Sequence, residues 1–105
     1  MKRPDVVEAL KKILQEVAPG ASVILYGSEA RGDASPDSDI DLLILVDKDK
    51  ITLKEQQAIT YPLYDVEIEK GVLINPIVIS RKLWETTQKL TLFYKNVMKE
   101  GVVLC

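Results

Sequence analysis

Apolar side chains recur along the chain with two periods, and the switch between them marks its elements. From Pro4 to Val17 the residues Val6, Val7, Leu10, Ile13, Leu14 and Val17 stand three and four apart with Lys and Glu between them. That spacing predicts an amphipathic helix, ended by Pro19 and Gly20. Ala21 to Tyr26 reads as a short apolar strand running into the turn-forming pair Gly27 and Ser28. The stretch from Ser28 to Ser38 is polar and holds Gly32 and Pro36, which predicts a functional loop with a helical turn at Glu29 to Arg31. Asp39 to Val46, DIDLLILV, is continuously apolar after its first three residues. A central strand buried on both faces has that pattern.

Asp47 to Lys50 is a charged, exposed turn. A helix beginning at Thr52 or Leu53 is predicted to reach Glu69, interrupted or kinked at Pro62 and closed by Gly71. Val72 to Ser80 is rich in β-formers, but Pro76 demotes it to an edge strand or a bulge. Arg81 to Lys99 predicts one or two helices, with Leu83, Trp84, Leu90, Phe93, Tyr94 and Met98 as buried candidates, and Val102 to Leu104 predicts a final short strand. The resulting order gives an α+β, sandwich-like fold: a small mixed β-sheet covered by helices.

Composition narrows the function. With 105 residues the chain is expected to form one domain over 1–105, and 47% apolar against 29% charged residues is ordinary globular composition. Fourteen basic against sixteen acidic residues leave a net charge of −2, so no overall positive field collects nucleic acid, which is disfavoured as a partner. The one cysteine, Cys105, excludes a disulfide framework or a Cys-based zinc cluster, and the absence of histidine excludes a histidine base or ligand. The first nine residues lack the apolar run of a signal peptide, and no run approaches a membrane span of about 20 residues. A cytoplasmic protein is expected.

The informative stretch is Tyr26 to Val46, YGSEARGDASPDSDIDLLILV. Residues two apart in a strand share a face, so Asp39 and Asp41 project together with Cα atoms roughly 6.5 to 7 Å apart. Carboxylates that close repel, and a divalent cation removes the penalty; hard oxygen ligands beside a phosphate-bearing substrate suit Mg²⁺. Gly27 and Ser28 end the preceding strand, where a missing side chain lets phosphate approach an N–H and a hydroxyl. Gly27 and Ser28 alone would be an ordinary turn; the downstream Asp pair changes that reading. Arg31 offers a permanent charge and a planar fork suited to phosphate. Together these parts point to phosphoryl-type or nucleotidyl transfer. Tyr61, Tyr64, Trp84, Phe93 and Tyr94 lie at spacings that suit a core or a subunit interface, so a homo-oligomer is compatible with the sequence.

GSEARG followed by SDIDLLI resembles the Gly-Ser, then Asp-x-Asp, signature of the minimal nucleotidyltransferases of the DNA polymerase β superfamily. The sharp motif occupies Gly27 to Asp41, and similarity in element order reaches the terminal stretch KEGVVL. The resemblance implies an ATP-like nucleotide bound with Mg²⁺, and transfer of its nucleoside monophosphate to an acceptor hydroxyl. By position, Asp39 and Asp41 would hold the metal, Gly27 and Ser28 the triphosphate, and Arg31 a phosphate or the acceptor. Chains of this size are similar to the antitoxin halves of two-gene modules whose partner is a helical HEPN-domain protein, which the small enzyme modifies. Active members add a third carboxylate from a later strand. The aligned position here is Asn75, whose amide cannot act as a base. Asp65, Glu67 and Glu69, on the preceding helix, are the other candidates. The competing reading is an inactive module of the same fold that neutralises a partner by binding it.

Overall fold

Pro4 opens the first helix, α1 (Pro4–Val17), where a missing N–H breaks no intrahelical bond. The computed structural model describes residues 2–86 and 88–105. Val6, Val7, Leu10 and Leu14 form the buried stripe of α1. Next come β1 (Ser22–Tyr26), a five-residue helix α2 (Gly27–Arg31) and β2 (Ile40–Val46). Helix α3 (Leu53–Lys70) starts at a capping box: the Thr52 hydroxyl accepts from the Glu55 N–H, and Glu55 accepts from the Thr52 N–H. It runs unbroken through Pro62 to Gly71, whose φ of +67° ends it. Pro62, expected to interrupt or kink it, does not interrupt it; the cap and a buried stripe of Ile59, Leu63 and Val66 carry the helix through.

After β3 (Ile74–Ser80) the chain forms α4 (Arg81–Glu85), a 3-10 turn (Gln88–Leu90), α5 (Leu92–Glu100) and β4 (Val102–Val103). The one or two helices expected over Arg81 to Lys99 are two, α4 and α5, separated by the 3-10 turn, and Thr87 lies outside the described residues. Thr91 restarts the chain by capping α5, its hydroxyl accepting from the Tyr94 N–H. The break changes which residues face inward. Trp84 and Val97 are buried, whereas Leu83, Leu90 and Met98, expected in the core, are 43%, 86% and 57% exposed.

The sheet order is β3-β2-β1-β4, with β1 antiparallel to β2 and β4, and β2 parallel to β3. Helix α3 is the crossover that a parallel pair requires. β3 lies at the sheet edge, where Pro76 leaves no ladder bond unmade on an outer neighbour. On one face α1 and α3 pack against Val23, Leu25, Ile40, Leu42 and Ile44. On the other, Leu43 and Leu45 meet Trp84 and Val97, flanked by Tyr26, Phe93 and Tyr94. β2 is buried on both faces, as its unbroken apolar run predicts, and is therefore a rigid base for whatever its leading end carries. Among the described residues no helix is long and apolar enough to cross a membrane.

Candidate functional site

The end of β1 and the starts of β2 and β3 meet at one end of the sheet. Register places Tyr26 opposite Asp41 and Asp41 opposite Asn75. Asp39 sits one residue before β2, and the alternation of the strand turns it to the same side as Asp41. The Asn75 Nδ2 amide donates to Asp39 Oδ2 at 2.9 Å and to Asp41 Oδ1 at 3.2 Å. Two half-buried carboxylates therefore converge on one atom, the positive end of an amide dipole. That donor set, two hard anionic oxygens aimed at one point, fits a small divalent cation, and the amide turned over would offer Oδ1 as a neutral third oxygen.

Among the described residues no third acid joins them. Glu67 Oε1 is taken by the Ile74 N–H at 3.0 Å, so this carboxylate fixes the start of β3. Asp65 and Glu69 are exposed. Among the described residues no three acidic, histidine or cysteine side chains gather as a metal-binding group. Two protein carboxylates are still enough for Mg²⁺ when substrate phosphate and water complete the shell.

Gly27 makes the close approach between the β1 turn and β2. Its φ is +75°, and a Cβ placed there would stand 2.3 Å from Asp41 Oδ2. Gly27→Ala is therefore expected to push the Asp41 carboxylate aside and to add backbone strain of about 1 to 2 kcal/mol. Transfer activity should fall about tenfold with it. A melting scan alongside an activity assay checks both; an unaltered rate would mean that Asp41 does not need this position. Ser28 follows in α2, its carbonyl accepting from Gly32 and Asp33 N–H groups at 3.0 and 3.1 Å.

Sequence reasoning missed what holds α2 in place. Glu29 is completely buried, its Oε1 2.7 Å from Arg3 Nε and its Oε2 2.6 and 2.9 Å from the N–H groups of Lys2 and Arg3. Burial by itself raises this carboxyl's pKa, but the Arg3 guanidinium and the two N–H groups outweigh it and hold it below the ordinary 4.5. Arg3 depends on Glu29 in turn, because its Nη1 and Nη2 are buried without a partner among the described residues. Glu29→Ala would leave the guanidinium wholly unpaired and is expected to lower stability by about 3 kcal/mol, measured by chemical unfolding. A loss below about 1 kcal/mol would show that water replaces the carboxylate. Because the folded pKa is depressed, this stabilisation is complete above the unfolded value and fades as pH falls through the folded one. Wild type should thus lose stability below about pH 4.5 more steeply than Glu29→Gln.

Arg31 lies beside this turn, paired rather than free. Its Nη1 donates to Glu100 Oε1 and Oε2 at 3.2 and 3.1 Å, and its Nε to Asp33 Oδ2 at 3.2 Å. The hydrogen bonds to Glu100 and then Asp33 raise its pKa further. Glu100 Oε1 also accepts from the Gly27 N–H at 3.4 Å. Glu100 was not singled out from sequence; the only signal was its place in the terminal KEGVVL stretch. Tyr26 completes the surroundings. Burial, followed by the charge of Asp41, pushes its hydroxyl up to about 12, so it stays protonated near neutrality. Its ring meets Phe93 edge-on, with centroids 5.4 Å apart. A separate cavity of about 370 Å³, lined by Val17, Ile51 and Ile59, lies at the far end of β2 and holds none of these groups.

A family model described as "Nucleotidyltransferase domain" matches residues 7–104. Two Methanocaldococcus jannaschii proteins are similar. "Putative protein adenylyltransferase MJ0141" is 34% identical over 84 residues, spanning 75% of this chain and 84% of that protein. "Putative protein adenylyltransferase MJ0604" is 40% identical over 85 residues, spanning 78% and 75%. Among solved structures, a "putative minimal nucleotidyltransferase" superposes with a TM-score of 0.63 at 24% identity, over 97% of this chain and 95% of that one. A toxin-antitoxin crystal structure with AMP-PNP gives 0.61 at 18% identity, over 96% and 71%. At those identities the structures testify to the fold. With a family match across nearly the whole sequence and the Gly-Ser turn, acidic strand and mixed sheet all present, the chain belongs to the nucleotidyltransferase domain family.

Proposed function

We propose that this chain transfers AMP from ATP, with Mg²⁺, to a hydroxyl of a partner protein. The observation that carries the reading is the convergence of Asp39 Oδ2 and Asp41 Oδ1 on a single atom next to Gly27. Asp39 and Asp41 would hold the metal, which would supply positive charge opposite the phosphate under attack. Gly27 and Ser28 receive the triphosphate, and Arg31 contacts a phosphate or the acceptor. The acceptor oxygen bonds to the α-phosphorus as the bond from that phosphorus to the bridging oxygen breaks; pyrophosphate leaves, and the hydroxyl proton passes to solvent water. The names of the two M. jannaschii relatives support adenylylation of protein, and the toxin-antitoxin neighbour supports a protein partner and an adenine nucleotide. The partner proposed is a helical HEPN-domain protein, and the compartment is the cytoplasm.

Asn75 favours a second reading, in which the domain neutralises its partner by complex formation without turnover. The amide stands beside Asp41 on the neighbouring strand, the position proposed for a base, and cannot take a proton. The two readings separate when the protein is incubated with Mg²⁺, the protein encoded beside it, and ATP labelled on either the α- or the γ-phosphate. Transfer predicts partner labelling from the α-position alone. An unlabelled partner that is nevertheless neutralised and bound would establish the second reading.

A further inference from the structure

We infer that Glu100 is a specificity-determining residue of the phosphate site: it occupies the Gly27 N–H and the Arg31 guanidinium in place of phosphate, and only a cation-charged nucleotide displaces it. The inference rests on the reading that Gly27 and Arg31 receive phosphate. A carboxylate presents two oxygens on one planar anionic face, as a phosphate can. Glu100 uses both of its oxygens on Arg31 Nη1, at 3.2 and 3.1 Å, and one of them on the Gly27 N–H at 3.4 Å. The last of these is long, and Glu100 keeps 26% of its side chain exposed, so it is held loosely enough to leave.

Its position, by contrast, is fixed. Gly101 follows it, and a Cβ at Gly101 would stand 2.5 Å from the Val97 carbonyl oxygen and 2.7 Å from Ile24 Cγ2. The end of α5 is therefore packed directly on β1, and Glu100 can move only by rotating its side chain. The charges around it set the selectivity. Arg31 contributes one positive charge, against one negative charge each from Glu100, Asp33, Asp39 and Asp41, which leaves −3. A bare polyphosphate meets repulsion there. A divalent cation held by Asp39 and Asp41 offsets it, after which phosphate outcompetes a single carboxylate for Arg31. Without Glu100 the turn would accept free polyphosphates more readily.

The test measures dissociation constants of ATP with and without Mg²⁺, and of inorganic tripolyphosphate without Mg²⁺, for wild type, Glu100→Gln and Arg31→Ala, each with a melting scan. Arg31→Ala should weaken every complex. Glu100→Gln should tighten tripolyphosphate and metal-free ATP by roughly three- to fivefold, and Mg·ATP by less. Glu100→Ala gives the same readout should the glutamine variant not fold. Unchanged or weakened binding in the Glu100 variants, with Arg31→Ala still harmful, overturns the inference and makes Glu100 a positioning residue for Arg31. If Arg31→Ala leaves ATP binding untouched, the phosphate reading fails and takes the inference with it.

Discussion

Asp41→Asn and Asp39→Asn are each expected to cut nucleotidyl transfer by about 100-fold or more while raising the melting temperature of the metal-free protein. Activity falls because each variant removes one of the two anionic oxygens that meet at Asn75 Nδ2. Stability rises because the same two oxygens repel. They share one donor at 2.9 and 3.2 Å, and relieving their repulsion contributes about 1 kcal/mol once solvent screening is included. For a domain of this length that is about 4 °C. Mg²⁺ should stabilise the wild type through these carboxylates and barely affect either variant. The opposite movement of rate and stability separates a functional pair from a structural one. A fall in both would mean that the carboxylates support the fold instead.

Asn75→Asp carries the second large effect, in the opposite direction. Register sets position 75 directly beside Asp41 on the parallel neighbour β3, so an aspartate there would complete a three-carboxylate cluster and supply a base. With Mg²⁺ the variant is expected to transfer AMP about 100-fold faster than wild type, within the range a positioned base contributes. Without Mg²⁺ it should be less stable, since the amide that now donates to both acids becomes a third negative charge. Single-turnover labelling and melting scans with and without metal read both consequences. A rate no faster than wild type, in a variant that Mg²⁺ demonstrably stabilises, would show that the base is not what limits this chain.

Local patterning was enough for most of the fold. The three-and-four spacing of Val6 to Val17 gives α1 to the residue, and DIDLLILV gives the central strand, one residue shorter than its sequence suggests. The same strand alternation brings Asp39 and Asp41 to one side, and the family resemblance, with its third carboxylate on a later strand, led to Asn75. What local pattern does not carry is pairing across the chain. Glu29 with Arg3 and Arg31 with Glu100 are 26 and 69 residues apart, and no periodicity encodes either. A charged residue completely buried, as Glu29 is, runs against the usual expectation that such residues face solvent, so its role emerges only with the α1 terminus in place. Leu90 and Met98 look like core residues from their apolar character alone; the 3-10 turn and the restart of the helix at Thr91 leave them outward.

Whether transfer depends on the two carboxylates is read by intact-mass analysis of the partner protein after incubation with Mg²⁺, ATP and wild type, Asp39→Asn or Asp41→Asn. One or more AMP additions are expected with wild type and essentially none with either variant. Equal AMP addition by all three would contradict that expectation, because the chemistry would then not depend on the two carboxylates that converge at Asn75.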